Sequence, residues 1–209
     1  ENSEPLLCVL SSYNTISNLN LVANGTANEQ NVDIGLAVCE LFGNKGAQYN
    51  LFDKITTDLN RTNGYSIGIY SFSTTSPGGV AGSNSYNTYR DINIKDCAYG
   101  IALVAPNNAT GGPDYGNQII SSSCSTYNYI GDPNVPDDII RSTTYGVCIG
   151  GQSGFKVSNC IIQNITANAT TGDVDGIYIE RSLGTAEISN NIIRTIRRSN
   201  AAVSSSRWV

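Results

Sequence analysis

The 209-residue chain contains no histidine and no methionine, and it contains a single tryptophan. The missing histidine excludes every site that needs an imidazole, including Ser-His-Asp and Cys-His nucleophile systems and histidine-ligated metal centres. Charged residues are scarce at 14% of the chain, and 12 Lys and Arg face 17 Asp and Glu for a net charge of −5. Because no basic run could follow a phosphate backbone, nucleic acid is a poor candidate partner.

Long hydrophobic runs are missing as well. Apolar stretches such as residues 100–105 fall far short of the ~20 residues that a membrane-spanning helix needs, so we expect no membrane insertion. The six cysteines include no Cys-x-x-Cys pair, and this argues against structural zinc and dithiol redox chemistry.

What the chain has in abundance is Ile, Val, Asn, Ser, Thr and Gly, a composition that favours strands and turns over helices. Two short motifs alternate along it with a period of roughly thirty to thirty-eight residues. The first places apolar residues after an asparagine, which recurs at Asn14, Asn50, Asn87 and Asn117. The second reads Gly-Φ-x-Φ, where Φ is apolar, and begins at Gly35, Gly68, Gly100, Gly146 and Gly176.

Each motif is one short strand, and equivalent strands of successive repeats are expected to stack in parallel register as a solenoid. We predict a single all-β domain over residues 1–209 with about six coils. The repeat resembles the right-handed parallel β-helix repeats of the pectate-lyase-like superfamily over nearly the whole chain. No capping helix is visible, so we expect a fragment of a longer helix, open at one or both ends, where the same polypeptide continues or neighbouring domains follow.

Two further patterns bear on the register of this solenoid. One offset of 37 residues brings three pairs of opposite charge together, namely Asp53 with Arg90, Lys54 with Asp91, and Asp58 with Lys95. An offset of 31 residues does the same for Lys156 and Glu187. We interpret these charges as contacts between neighbouring strands, and the stacked asparagines as an amide ladder that supports a turn.

The cysteines occupy different columns of the repeat. No two of Cys8, Cys39, Cys97, Cys124, Cys148 and Cys160 stack directly on one another, so we expect no disulfides and interpret most of the thiols as small buried fillers.

Ligand-binding residues are sought first among tyrosines, because a tyrosine offers a sugar ring both a flat apolar face and a polar tip. Three long insertions, residues 72–86, 104–116 and 125–145, are expected to form surface loops that carry Asp114 and several tyrosines. The candidate ligand-binding residues are Tyr86, Tyr115, Tyr127, Tyr129 and Tyr178. The alternative is that these rings pack the loops onto the solenoid. The outward side of the Gly-Φ-x-Φ sheet is expected to be mostly uncharged, with Leu7 and Val9 opening its two rows.

One segment carries candidate catalytic residues. Residues 172–181 are similar to the Asn-Thr-Asp-Gly-Ile region of polygalacturonase-type hydrolases, with Asp175 at the position of a catalytic carboxylate. The candidates are Asp173, Asp175, Glu180 and Arg181. The paired aspartates and the Gly-His-Gly of that family are not recognisable. No cofactor is indicated, although Asp173, Asp175 and Glu180 offer oxygen ligands for a calcium ion.

The sequence thus leaves three hypotheses about function. The first is an adhesin-like or tailspike-like module, secreted or at the cell surface, that contacts polysaccharide or another surface glycan. The second is a polysaccharide lyase, hydrolase or epimerase. The third is a structural spacer in a surface filament.

Overall fold

The computed structural model describes residues 3–23, 32–39, 45–59, 66–73, 79–106, 112–128, 143–167 and 173–198. These ranges contain eighteen β-strands and one short 3-10 turn, Gly79–Gly82. Every strand pairing among them is parallel. Nowhere in these ranges does a helix have the length and apolar character needed to cross a membrane.

The first sheet contains one strand from each of six successive repeats, and we number the coils one to six by these strands. In order of pairing they are β1 (Ser3–Val9), β3 (Val32–Cys39), β5 (Ile67–Phe72), β8 (Tyr99–Val104), β12 (Thr143–Gly150) and β16 (Asp173–Glu180). Each strand pairs only with the strands of the coils before and after it.

The second sheet contains the asparagine-led motifs. Its strands are β2 (Thr15–Val22), β4 (Leu51–Asp58), β6 (Thr88–Arg90), β7 (Asn93–Cys97), β10 (Gln118–Ile120), β11 (Ser123–Asn128), β14 (Lys156–Ser158), β15 (Ile161–Ala167), β17 (Glu187–Ser189) and β18 (Ile192–Arg198). A small third sheet pairs β9 (Asp114–Tyr115) with β13 (Gln152–Ser153). The predicted all-β, parallel β-solenoid fold is therefore confirmed.

Ion pairs confirm both predicted offsets between neighbouring coils, 37 residues and 31 residues. Arg90 Nε lies 2.7 Å from Asp53 Oδ1, and Lys156 Nζ lies 2.9 Å from Glu187 Oε1. Asp58 stands opposite Lys95 in the strand register. Within the described ranges, however, neither this pair nor Lys54 with Asp91 forms a salt bridge. Lys54 lies within β4 and Asp91 lies between β6 and β7, but both have positive φ angles, 53° and 51°, and the strand register skips both.

Stacked columns of Leu, Ile, Val and Phe from both sheets form the core. The column of Leu36, Ile69, Ile101 and Val147 in the first sheet is completely buried, as is that of Phe52, Tyr89, Ile119 and Val157 in the second. Burial raises the pKa of the Tyr89 hydroxyl, so this ring stays neutral in the core.

The outward side of the first sheet differs from the prediction in two ways. In coil one the outward positions are shifted by one residue from the prediction. Cys8 pairs with Ala37 and faces outward, while Leu7 and Val9 face the core. It is also largely covered, since Tyr99, Tyr145 and their neighbours form a second buried apolar cluster. Phe72 remains 39% exposed, and Tyr70 and Tyr178 are half-buried.

None of the six cysteines, all of which lie in the described ranges, forms a disulfide. Cys97, Cys124, Cys148 and Cys160 are buried, whereas Cys8 is exposed and Cys39 is half-buried. Burial raises the pKa of Cys97 to about 12 and shifts that of Cys124 in the same direction, so neither thiol is activated as a nucleophile.

Candidate functional site

The corner before the second sheet turns at one residue per coil, and that residue has a positive φ in all six coils. In chain order these residues are Tyr13, Tyr49, Tyr86, Gly116, Gly154 and Gly184, with φ angles from 55° to 69°. Backbone hydrogen bonds join each coil to the next at this corner, for example from Tyr49 N to Ser85 O at 3.1 Å. Coils one to three therefore place a tyrosine where coils four to six place a glycine.

The residue after this corner builds the asparagine ladder, which we define as Asn14, Asn50, Asn87 and Asn117. The backbone N and Nδ2 of Asn50 both donate to Asn87 Oδ1 at 3.0 Å, and Asn14 donates to Asn50 Oδ1 in the same way at 2.9 Å. Asn87 N donates to Asn117 Oδ1, and Asn117 Nδ2 continues to Gln152 Oε1 at 2.9 Å. The predicted amide ladder is thus confirmed, and it fixes the corner from inside the solenoid.

The three tyrosines of the corner form a stacked column on the outside, which we call the tyrosine column. The ring centroids of Tyr13 and Tyr49 are 5.1 Å apart, with 7° between the ring planes. Those of Tyr49 and Tyr86 are 4.9 Å apart with 11° between the planes. These rings are 78%, 47% and 38% exposed in chain order, so the column presents its ring edges to solvent.

The backbone under the tyrosine column is in a conformation that tyrosine disfavours. A left-handed φ costs an L-residue with a Cβ roughly 1–2 kcal/mol, a cost that glycine avoids. Glycine occupies the same position in coils four to six, so the fold itself does not require a side chain there. At Gly116 an added Cβ would lie 2.7 Å from Tyr86 Cδ1, so the last ring of the column rests on this glycine.

Sequence reasoning named Tyr86 but missed the column that contains it. The signal was available, since the dipeptide Tyr-Asn recurs at residues 13–14, 49–50 and 86–87. Aligning the repeats on the asparagine alone left the preceding tyrosines unassigned.

A buried polar network supports the same corner. Asp114, expected in a surface loop, is completely buried. Its Oδ1 accepts hydrogen bonds from Ser73 Oγ at 3.0 Å and from Asn84 N at 2.8 Å. Asn84 in turn donates to the carbonyls of Val38 and Phe72 and accepts from Ala47 N. Neutral donors therefore satisfy this carboxylate and tie the first sheet to the base of the tyrosine column.

Among the candidate ligand-binding tyrosines that the structure describes, Tyr86 and Tyr115 lie together. Tyr115 is half-buried next to Tyr86, whose backbone N donates to Tyr115 O at 2.6 Å. Tyr127 lies in strand β11, where its backbone pairs with Thr166, and Tyr129 lies outside the described residues. Tyr178 is on the first sheet in coil six, three coils from Tyr86, which corresponds to about 14 Å along the axis.

The candidate catalytic residues Glu180 and Arg181 form a small cluster with Tyr178 at the end of β16. Arg181 Nη2 and Nε lie 2.8 and 3.1 Å from Glu180 Oε1, and the Tyr178 hydroxyl donates to Glu180 Oε2 at 3.1 Å. Arg181 Nη1 also reaches the carbonyl of Pro106 at 3.3 Å. Burial, and then the hydrogen bond to Glu180, raises the pKa of Tyr178. Glu180 is thus held as the partner of a cation and a phenol.

Asp175 precedes Glu180 by five residues on β16, which places their Cα atoms about 16 Å apart along an extended strand. The Asp175 charge nevertheless contributes to the raised pKa of Tyr178. Asp173 begins the strand, and its side chain lies outside the described set. Within that set, no three His, Cys, Asp or Glu side chains are grouped to hold a metal.

Comparison of the chain with protein-family models, with curated proteins and with solved structures finds no match.

Proposed function

We propose that this protein is a secreted or cell-surface module that contacts polysaccharide, and that the tyrosine column is its contact surface. The observation that carries the proposal is the use of tyrosine in coils one to three at a left-handed position where coils four to six have glycine. Coils one to three have a tyrosine in this strained conformation, although coils four to six show that the fold accepts glycine there without the strain. This favours a role for the exposed rings themselves.

The chemistry of the column suits a glycan. Both faces of Tyr49 are occupied by its neighbours, so the column offers a row of ring edges and phenolic hydroxyls about 5 Å apart, and Tyr13 adds an open ring face. Phenolic hydroxyls donate and accept hydrogen bonds, and an aromatic face packs against the C–H face of a sugar. The regular spacing suits a chain of repeating sugar units better than a compact ligand.

The parallel β-solenoid also supports this function, because it resembles the pectate-lyase-like superfamily, whose members act on polysaccharides. Membership of that superfamily, in its adhesin-like or tailspike-like form, is the finer part of the proposal. Lysis, hydrolysis and epimerisation are the competing activities. The Glu180 cluster gives them little support, since its carboxylate is already paired with Arg181.

The test measures binding of the full chain to soluble pectate, alginate and dextran by affinity electrophoresis. In Tyr49→Gly the stack is interrupted at its centre while the left-handed backbone is relieved. We expect affinity to fall at least about tenfold, equivalent to 1.4 kcal/mol. The free energy of unfolding should change by only about 1 kcal/mol, because the lost stacking and the relieved strain oppose each other.

The matched control is Phe72→Ala, which removes a ring of similar exposure on the first sheet, outside the tyrosine column. It should leave binding unchanged. Loss of binding in this variant but not in Tyr49→Gly would move the contact surface to the sheet. Absence of binding to all three polymers would overturn the proposal, and new reducing ends or unsaturated products in the same samples would replace it with an enzymatic role.

A further inference from the structure

In coils one to four, the side chains that border the corner of the tyrosine column are uncharged. Two flanking rows lie there, one formed by the residue before each corner position and one by the second residue after it. The first row contains Ser12, Gln48, Ser85 and Tyr115, and the second contains Thr15, Leu51, Thr88 and Gln118. Ser85 is buried, and the other seven are at least partly exposed. All of them except Leu51 end in a hydroxyl or an amide, groups that exchange hydrogen bonds with sugar hydroxyls.

The charges of coils two and three lie farther along the second sheet. Residues 45–59 and 79–97 contain eight charged residues, and seven of these lie within residues 53–58 and 90–96. Asp53 and Arg90 come first, four residues after the corner tyrosines of their coils, which is up to about 13 Å along an extended strand. They form an ion pair with each other at 2.7 Å. The eighth is Lys45, which is exposed and comes four residues before Tyr49.

Coils four and five add charges that are buried or paired. Asp114, which precedes the corner in coil four, is completely buried among neutral donors. Lys156 continues the second flanking row into coil five, and its Nζ lies 2.9 Å from Glu187 Oε1. Within the described ranges, Lys45 is therefore the cation near the column that an anionic ligand would have to recruit.

A charged polysaccharide is poorly matched to such a surface. A polyuronate carries a carboxylate on every sugar, and each carboxylate that loses water here would need a cation or several N–H donors in return. A polycation would need exposed carboxylates, whereas Asp114 is buried and Asp53 is paired with Arg90. An uncharged sugar carries hydroxyls, which the flanking rows can satisfy without an ion pair.

From these observations we infer that the polysaccharide bound by the tyrosine column is uncharged. The inference rests on the proposed function and narrows its class of ligand. Binding of such a ligand forms no ion pair, so its affinity should be independent of salt, because salt screens only interactions between charges.

Isothermal titration calorimetry on the full chain compares oligosaccharides of equal length. The uncharged ligands come from dextran, galactomannan and β-glucan, and the charged ones are oligogalacturonate and a chitosan oligosaccharide. At least one uncharged ligand should bind at least about tenfold more tightly than either charged one, with the same affinity at low and at high salt. Tyr49→Gly should weaken this binding at least about tenfold, whereas the control Lys45→Gln should leave it unchanged.

A pair of variants tests whether the missing charge is what excludes a uronate. Thr88→Lys places a cation in the second flanking row beside Tyr86, and Thr88→Gln is the matched uncharged control. The row holds Gln118 and Lys156 in the next two coils, so both replacements are compatible with it. Thr88→Lys should bind oligogalacturonate about two- to fivefold more tightly than Thr88→Gln, the gain that a solvent-exposed ion pair typically gives. An equal affinity of the two variants would show that the missing charge is not the cause.

Two further results would overturn the inference and leave the proposed function standing. Oligogalacturonate or the chitosan oligosaccharide could bind as tightly as any uncharged ligand and lose affinity in Tyr49→Gly. Lys45→Gln could weaken binding as much as Tyr49→Gly does, which would show that a charged contact is required. If no ligand binds, or if binding is the same in Tyr49→Gly, the proposed function fails and the inference fails with it.

Discussion

The same corner is built in two ways in the two halves of this solenoid. In coils one to three, tyrosine occupies the left-handed position, its ring is exposed and the residue after it is a ladder asparagine. In coils four to six, glycine occupies that position, and the asparagine ladder ends at Asn117 and Gln152. The backbone course is preserved across this change. The corner therefore depends on conformation and inner hydrogen bonds, and the outer side chain is free to serve another purpose.

Substitutions in the asparagine ladder, inside the corner, and in the tyrosine column, outside it, should therefore have different effects. Replacing an inner residue should reduce stability, because buried hydrogen-bonding groups lose their partners. Replacing an outer residue should change the surface more than the stability, because stacking gains and left-handed strain are of similar size.

The largest effect is expected for Asn87→Ala. Asn87 is completely buried, its Oδ1 accepts two hydrogen bonds from Asn50, and its Nδ2 donates to Ala47 O at 2.8 Å. Alanine would leave these groups unpaired at about 1–3 kcal/mol each. Urea unfolding should show a loss of about 3–5 kcal/mol. Asn14→Ala is the control, since Asn14 is half-buried at the start of the ladder and should lose only about 1 kcal/mol; equal losses would contradict the ladder's role.

An intermediate effect separates the first two of the three glycines that follow the tyrosine column. Gly154→Ala adds a Cβ whose nearest neighbour is 3.9 Å away, so only the left-handed backbone, at φ 66°, costs about 1–2 kcal/mol. Gly116→Ala has a similar φ and would also push the new Cβ against the Tyr86 ring at 2.7 Å. It should be about 1 kcal/mol more destabilising in the same urea experiment.

A double-mutant cycle checks the cause of that difference. In a Tyr86→Ala background the excess cost of Gly116→Ala should vanish, because the ring that resists the new methyl group is gone. An excess that persists would show that the backbone at residue 116 is strained for another reason.

The fold was predictable because its signals recur at equivalent positions of successive coils. Asn14, Asn50 and Asn87 recur at equivalent positions, and opposite charges such as Asp53 and Arg90 meet at the same offset, so register could be read without coordinates. The first repeat was misaligned by one residue because Leu6 stands where later repeats have glycine. In a strand, a shift of one residue exchanges the inner and outer faces, and this placed Leu7 wrongly outside.

The candidate site was less predictable because it depends on which surfaces remain accessible. From coil two onward the outward rows of the first sheet were assigned correctly, yet Tyr99 and Tyr145 are buried in the cluster on that side. The Tyr13 and Tyr49 rings become a surface only when the coils stack, since they are 36 residues apart in the chain. Asp114 could not be distinguished from an exposed loop acid, because its burial depends on donors from Ser73, Asn84 and Gln152.

The smallest effect is expected where the two halves are alike, at their exposed ion pairs. The hydrogen bond from Arg90 lowers the pKa of Asp53 in coils two and three, and the one from Lys156 lowers the pKa of Glu187 in coils five and six. A lowered pKa in the folded state stabilises the protein above the unfolded pKa. That stabilisation is lost as the pH falls through the folded value.

Asp53→Asn and Glu187→Gln should therefore each lose a small stabilisation at pH 6 and match the unmodified chain at pH 2, which flattens the acid limb of the unfolding free energy measured between these pH values. Because both pairs are solvent-screened, the two variants should behave alike, and each should matter far less than Asn87→Ala. A much steeper dependence on Asp53 than on Glu187 would show that the halves differ in their charge contacts as well as at the corner. If the unfolding free energies of the two variants depend equally on pH, the two halves of the solenoid differ at the left-handed position of the corner, where the tyrosine column lies, and not in these ion pairs.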